Sequence, residues 1–189
     1  MADETQSQTG RGAAGTGPVA PVDRTIEYRD RDLDAEGVWE HSSKARYGMV
    51  AFNSAGEVLI REPANHFGGY VWTFYKGGRH GNEHTMETAL RETVEETGYR
   101  PAVIGHLAEG FCGSNMSSVN YFYLGFDTAG EVDRSAMDRN RETWTTAWVS
   151  VEEARDRIAL TTEEKGRARD LQTLEAAAVA FAELQNSQD

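Results

Sequence analysis

The chain has little cysteine, little proline and few basic residues for its 189 residues. Its one cysteine, Cys112, excludes an intramolecular disulfide and a multi-cysteine zinc site. No apolar run approaches the roughly 18 residues that a membrane-spanning helix needs. Lys and Arg total 19 against 31 Asp and Glu, a net charge of −12, so a broad basic surface for nucleic acid is excluded.

The composition that remains is typical of a soluble globular protein. Hydrophobic residues make up 39% of the chain and charged residues 26%, values that allow a core without disulfide support. The first residues lack the basic and apolar segments of a signal peptide. We therefore expect a soluble cytoplasmic protein with no membrane partner.

Composition divides the chain into three parts. Residues 1–23 are rich in Gly, Ala, Thr, Gln and Pro and have almost no large apolar side chains, which predicts a disordered tail. Residues 24–45 are highly charged around a few apolar anchors and fit either a lead-in strand or an arm that contacts a partner. Residues 46–189 carry the signals of a folded domain.

Hydrophobic periodicity in this domain predicts strands mixed with a few helices, and hence an α+β or mixed α/β fold. The last helix is expected to pack on its own domain, with a dimer-forming helix as the alternative. The predicted strands are 47–52, 58–60, 69–75, 101–109, 120–126 and 145–149, and the predicted helices are 84–97, 151–158 and 162–185. Gly98 is a suitable left-handed end for the first helix.

Three glutamates lie close together on the first predicted helix. Glu92, Glu95 and Glu96 have the spacing i, i+3 and i+4 and share an arc roughly opposite the apolar residues. Such a patch fits a solvated acidic face, but it also fits a divalent cation, which prefers carboxylate oxygens. A glycine-rich turn at 77–81 follows a predicted strand directly before this helix, and such turns let backbone approach a phosphate or metal.

The segment from Gly77 to Tyr99 resembles the signature of the Nudix hydrolases. The departures are Thr93, where the family prefers a bulky aliphatic residue, and Asn82, where glycine is frequent. The resemblance implies an α/β/α sandwich with a mixed central sheet over the folded domain. The matching positions, all in register, are Gly77, Glu83, Arg91, Glu92, Glu95, Glu96 and Gly98.

The resemblance also implies roles for the matched residues. It makes Glu92, Glu95 and Glu96 ligands of Mg²⁺ or Mn²⁺, with Glu83 and the backbone carbonyl of Lys76 as further ligands, and it gives Arg91 the task of orienting a carboxylate. A metal ion lowers the pKa of bound water and stabilises charge in the displacement. Either Glu96 or a loop carboxylate then accepts the proton of the water.

Glu142 lies outside this segment, six residues before Trp148, and resembles a downstream glutamate of the family that completes the metal site or acts as base. An exposed loop glutamate is the alternative. Lys76 and Arg61 are candidates for phosphate contacts, with exposed surface positions as the alternative. Trp72 is a candidate for stacking on a nucleobase, although aromatic residues on strands also form cores.

These features predict a metal-dependent hydrolase that cleaves a diphosphate linkage in a nucleotide or a nucleoside-diphosphate-linked substrate. The alternative is a Nudix-like sensor that binds a nucleotide without hydrolysing it. A prenyl diphosphate isomerase is a third reading, to which Cys112 gives little support. The nucleotide itself, the choice between Mg²⁺ and Mn²⁺ and the oligomeric state stay open, since recognition depends on loops such as 62–69 and 113–119.

Overall fold

The structure is a computed structural model that describes residues 35, 38–39, 42–112, 118–127, 132–137 and 142–187. The predicted tail 1–23, most of segment 24–45 and most of loop 113–119 lie outside the described residues. The strands are β1 (Arg46–Asn53), β2 (Val58–Pro63), β3 (Lys76–Gly77), β4 (Ala102–His106), β5 (Phe111–Cys112), β6 (Val119–Asp127) and β7 (Thr143–Val149). The helices are α1 (Thr85–Thr97), α2 (Val151–Ala159) and α3 (Glu164–Asn186), and a 3-10 segment spans Ala64–Gly69.

The described strands form one mixed sheet with the order β4-β6-β1-β2-β7. β1 pairs with β6 in parallel along its full length, whereas the other pairings are antiparallel. The opposite edge of β1 is shared, because Phe52 pairs with Val58 of β2 and Tyr47 pairs with Gly77 of β3. The chain that leaves β2 therefore returns to the sheet beside the start of β1, directly before α1.

Helices cover both faces of the sheet and bury two hydrophobic clusters. On one face α1 packs on a cluster that includes Met49, Leu59 and Tyr123. On the other face α2 and α3 cover a cluster that includes Ile60 and Phe122. These layers and the mixed sheet confirm the α+β fold class expected from the sequence.

The last helix, α3, packs on its own domain. Leu174 and Ala177 are fully buried in the sheet cluster. Phe181 stacks on Phe52 of β1 with ring centroids 4.2 Å apart. The helix is thus attached along most of its length.

The predicted strand over 69–75 was largely wrong. Residues up to Gly69 belong to the 3-10 segment, and the segment that follows has one isolated bridge, between Thr73 and Arg61. Asn65 and His66 adopt positive φ angles of 56° and 48°, a conformation that non-glycine residues rarely adopt and that alternation cannot reveal. The strand begins at Lys76 instead, and it is short.

Part of the charged segment before β1 packs on the domain. Trp39 is 4% exposed and its indole Nε1 donates a hydrogen bond to the carbonyl oxygen of Leu107 at 3.0 Å. Its ring stacks on that of Tyr121 with centroids 5.1 Å apart. Ala35 is also buried in this cluster. These two anchors fix the described end of the segment against the α1 face of the sheet.

Candidate active site

Local capping defines both ends of α1. The carboxylate of Glu87 accepts a hydrogen bond from the backbone N–H of His84 at 2.9 Å, which satisfies a donor at the start of the helix. Gly98 adopts the left-handed conformation, with φ 76°, and its N–H bonds to the carbonyl of Val94 at 2.8 Å. The helix and its glycine end agree with the sequence prediction.

Arg91 lies at the centre of the acidic cluster. Its Nε and Nη2 donate to the two oxygens of Glu83 at 2.9 and 3.0 Å. Nη1 donates to Glu92 at 2.7 Å and to Glu95 at 2.9 Å, and Nη2 also reaches the carbonyl of Gly78 at 2.8 Å. One guanidinium group thus balances three carboxylates and ties the glycine-rich turn to the helix.

Glu83 is held in its ionised form by the turn. Its carboxylate accepts hydrogen bonds from the backbone N–H of His80 at 3.1 Å and the hydroxyl of Thr88 at 2.9 Å, besides those from Arg91. Partial burial by itself raises the pKa of Glu83, but these hydrogen bonds and the charge of Arg91 outweigh it and lower the pKa to about 2. Glu83 therefore stays charged at any physiological pH.

Glu92 lies against the backbone of the glycine-rich turn. A Cβ atom at Gly77 would fall inside the carboxylate of Glu92, so a side chain at this position would displace that carboxylate from its place against the turn. Burial raises the pKa of Glu92, and hydrogen bonding and charge from Arg91 act in the opposite direction. The close approach explains why the turn needs glycine at this position.

Glu96 is the most buried carboxylate of the set, at 6% exposure. It does not lie on an acidic arc away from the core, as the helical wheel indicated, because the buried side of α1 extends around to it. Its Oε2 accepts the backbone N–H of Lys76 at 3.0 Å, and its Oε1 contacts Nη2 of Arg61 at 2.8 Å. Burial raises the pKa of Glu96, while the positive charges of Arg61 and Lys76 lower it.

Arg61 connects Glu96 to the start of β7. Besides its ion pair with Glu96, its Nη1 donates to the carbonyl of Glu142 at 3.2 Å and to Oγ1 of Thr143 at 3.1 Å. Its Nε atom is buried and has no hydrogen-bond partner among the described residues. The guanidinium group of Arg61 therefore retains an unused donor close to the carboxylate of Glu96.

Lys76 is the second cation at this position. Its Nζ donates to the carbonyl of Phe74 at 3.1 Å. Burial lowers the pKa of Lys76, and the positive charges of Arg169 and Arg61 act in the same direction. Arg61 thus contacts Glu96 through its guanidinium group, whereas Lys76 contacts it through the backbone N–H.

The structure brings most of the sequence-predicted residues together but places Trp72 elsewhere. Glu142 is exposed directly before β7, with its backbone bonded to Arg61. Glu95 keeps 36% of its side chain exposed. Trp72 packs with the cluster beneath α2 and α3, where the guanidinium of Arg157 lies 4.6 Å from its ring centre. That position is on the opposite side of the sheet from α1.

The donors present fit a hard divalent cation. The carboxylates of Glu92, Glu95 and Glu96 supply oxygen ligands, and the missing Cβ of Gly77 lets one of them reach the turn. Among the described residues no group of three or more His, Cys, Asp and Glu side chains converges on a metal position. Their oxygens contact Arg91 and Arg61 instead, so a bound cation would have to replace an arginine contact.

A buried network behind the site was not found from the sequence. Asp170 of α3 is fully buried, accepts the hydroxyl of Thr73 at 2.6 Å and pairs with Arg169 at 2.6 Å. The backbone of Thr73 in turn exchanges two hydrogen bonds with Arg61, both at 3.0 Å. The sequence signal that could have indicated this network is the adjacent pair Arg169 and Asp170 within a helix that has an apolar stripe. The network fixes the strand that carries Arg61.

Comparison with known families identifies the fold. A model described as NUDIX domain matches residues 43–174, more than half of the chain. The chain therefore belongs to the NUDIX domain family, which confirms the resemblance seen in the segment from Gly77 to Tyr99. No curated protein sequence is significantly similar to the chain.

Solved structures with the same fold include two enzymes. A NUDIX hydrolase from Nitrosomonas europaea superposes with a TM-score of 0.51 and 15% identity, over 64% of this chain and 81% of that one. An Ap4A hydrolase of C. elegans, solved as a binary complex, has a TM-score of 0.53 and 19% identity, over 75% of this chain and 98% of that one. At these identities the likeness supports the fold alone. Within the described part of the chain, no helix is both long and apolar enough to cross a bilayer.

Proposed function

We propose that the protein is a metal-dependent hydrolase that cleaves a diphosphate linkage in a nucleotide or a nucleoside-diphosphate-linked substrate. The observation that carries this proposal is the cluster in which Arg91 holds Glu83, Glu92 and Glu95 against the glycine-rich turn. Such a cluster gathers like charges around one guanidinium group and presents several carboxylates to a cation.

The acidic residues bind Mg²⁺ or Mn²⁺ in this proposal. Glu92, Glu95 and Glu96 are the main ligands, and Glu83 and the backbone carbonyl of Lys76 are further ligands. The ion would supply charge neutralisation of the diphosphate and activation of a water. Arg91 keeps the carboxylates oriented while they exchange one contact for the ion.

Arg61 and Lys76 hold the phosphates. The unused, buried Nε donor of Arg61 supports this role, because an anion at that position would satisfy it. Lys76, whose backbone N–H bonds to Glu96, contributes a point charge in this proposal. Arg61 then becomes a partner of the substrate as well as of Glu96.

The base that accepts the proton of the attacking water is Glu96 or Glu142. Burial raises the pKa of Glu96 toward the range that suits a base near neutral pH. Glu142 is exposed at the start of β7, where its backbone is fixed by Arg61. Comparing the pH–rate profiles of Glu96→Gln and Glu142→Gln decides between them.

The test is chromatographic detection of the phosphorylated cleavage products from a panel of nucleoside diphosphates and triphosphates, sugar nucleotides and dinucleoside polyphosphates, with Mg²⁺ or Mn²⁺ and with EDTA. The expected result is turnover of one substrate group that EDTA abolishes. Glu95→Gln should lose this turnover and keep its fold, because it removes a ligand charge at constant shape. Tight metal-dependent binding without cleavage across the panel would instead support the nucleotide sensor.

A further inference from the structure

Trp144 is the extra residue of a β-bulge at the edge of the sheet. β2 and β7 pair Glu62 with Thr145, and the next pair is Pro63 with Thr143, so Trp144 has no partner across the strands. A bulge leaves one residue unpaired, turns its side chain away from the regular alternation and is common beside active sites. Here it projects a tryptophan from an edge strand.

The indole of Trp144 is 69% exposed. Two positions further along, Thr146 pairs with Arg61, and Trp148 packs with the α1-side cluster, its ring 5.5 Å from that of Tyr99. Because strand residues alternate between faces, Trp148 and Thr146 share this face, and the bulge interrupts the alternation after Thr145. Trp144 therefore lies two residues from Thr146, the last position that the alternation assigns to the face of the proposed site.

A short chain of contacts joins Trp144 to the catalytic carboxylate. Its neighbour Thr143 accepts a hydrogen bond from Arg61 at 3.1 Å, and the same guanidinium contacts Glu96 at 2.8 Å. The residues on both sides of Trp144, Thr143 and Thr145, are neutral. The position suits the part of a substrate that extends away from its phosphates.

We propose that Trp144 is a specificity residue on which the aromatic base of a nucleotide substrate stacks while Arg61 and Lys76 hold its phosphates. This inference rests on the proposed function for its substrate class, and it adds that the base, rather than the phosphate chain alone, is recognised. Stacking on an indole tolerates different bases, because every base offers a π face. A second copy of the chain covering this edge strand is the competing occupant.

The experiment measures binding, so that it is independent of turnover. The probes are the α,β-methylene analogues of a purine and a pyrimidine nucleoside diphosphate, and methylenediphosphonate as the matched probe without a base, each with Mg²⁺. Their Kd values are compared by calorimetry for wild type, Trp144→Ala and Trp144→Phe. Leu160→Ala serves as the control, because Leu160 is an apolar residue 59% exposed outside the site.

Wild type should bind at least one nucleotide analogue more tightly than methylenediphosphonate. Trp144→Ala should weaken that analogue by about 5- to 100-fold, while methylenediphosphonate changes by less than about twofold. Trp144→Phe should retain most of the affinity, because it keeps a ring for stacking. Leu160→Ala should bind like wild type.

Three results would overturn the inference: no preference of wild type for the base-bearing probes, equal losses for all probes in Trp144→Ala, or a fall in molecular mass by light scattering in that variant. The last would assign the surface to a dimer. Base-dependent binding through Trp144 by a chain that cleaves no nucleotide would retain the stacking role and reject hydrolysis, so the two proposals fail separately.

Discussion

At the scale of a single side chain, Arg91 holds the carboxylates of the acidic cluster in place. Arg91→Lys keeps the charge but loses the planar fork that contacts Glu83, Glu92 and Glu95 at once. We expect metal-dependent turnover to fall about 10- to 100-fold, the range typical of residues that orient ligands. The measurement is kcat and the apparent metal affinity. The control Arg155→Lys alters an exposed ion pair and should leave both unchanged; equal rates in the two variants would contradict this role.

Glu83 gives the fold a pH dependence with a defined sign. Its pKa falls from 4.5 to about 2 on folding. Between these two pH values the unfolded chain therefore binds more protons than the folded chain. The stability that Glu83 contributes is fully present above pH 4.5 and is lost as the pH falls toward 2. Glu83→Gln should therefore flatten this part of the stability curve, measured by urea unfolding with EDTA. If the free energy of unfolding changes between pH 5 and pH 3 by the same amount in wild type and in Glu83→Gln, the hydrogen bonds of Glu83 do not cause this pH dependence.

The position of the three glutamates on one helix could be predicted from the sequence, but how deeply each of them is buried could not. The spacing of Glu92, Glu95 and Glu96 showed that they lie near one another on a helix. Periodicity gives the direction in which each residue projects from the helix axis, but it does not show which other elements pack on that side of the helix. Glu96 is buried because Arg61, far away in the sequence, balances its charge from β2.

At the scale of elements, α3 is linked to the strand of Arg61 through Asp170, which accepts a hydrogen bond from Thr73 and forms a buried ion pair with Arg169. Asp170→Asn leaves Arg169, whose side chain is 5% exposed, without its counter-charge. Removing one partner of a buried pair costs about 3–5 kcal/mol in free energy of unfolding. Glu175→Gln on the same helix removes an exposed pair with Arg155 and should cost no more than about 1 kcal/mol. Denaturant unfolding compares the two variants, and similar losses would show that burial of the pair adds nothing.

Elements with local signals were predictable, and one that depends on distant contacts was not. The helix α1 has its capping residues and Gly98 within its own sequence. The segment 69–75 alternates like a strand, yet its side chains are satisfied by the C-terminal helices: Thr73 bonds to Asp170, and Trp72 packs under Arg157. No pattern within the segment predicts these partners, because both lie far away in the sequence.

At the scale of the whole molecule, the sequence predicted the fold class and the family. The segment from Gly77 to Tyr99 and most of the predicted strands and helices lie within residues 43–174, which the NUDIX domain model matches. Residues 1–20, far before this region, are predicted to be dispensable. Deleting residues 1–20 should leave the melting temperature and the rate of turnover unchanged, since their composition buries almost no apolar surface. Thermal unfolding and kinetics of the shortened chain check this, and a large loss of either would mean that the tail has a structural or functional role.

The most direct test of the account compares wild type with Glu96→Gln on the substrate that the panel identifies, at saturating Mg²⁺. The account predicts that wild type cleaves the diphosphate and that EDTA stops it, whereas Glu96→Gln binds the same substrate, keeps its fold and loses at least about 100-fold in kcat. Turnover that survives either EDTA or the loss of the Glu96 carboxylate would contradict a metal-dependent hydrolysis at this site.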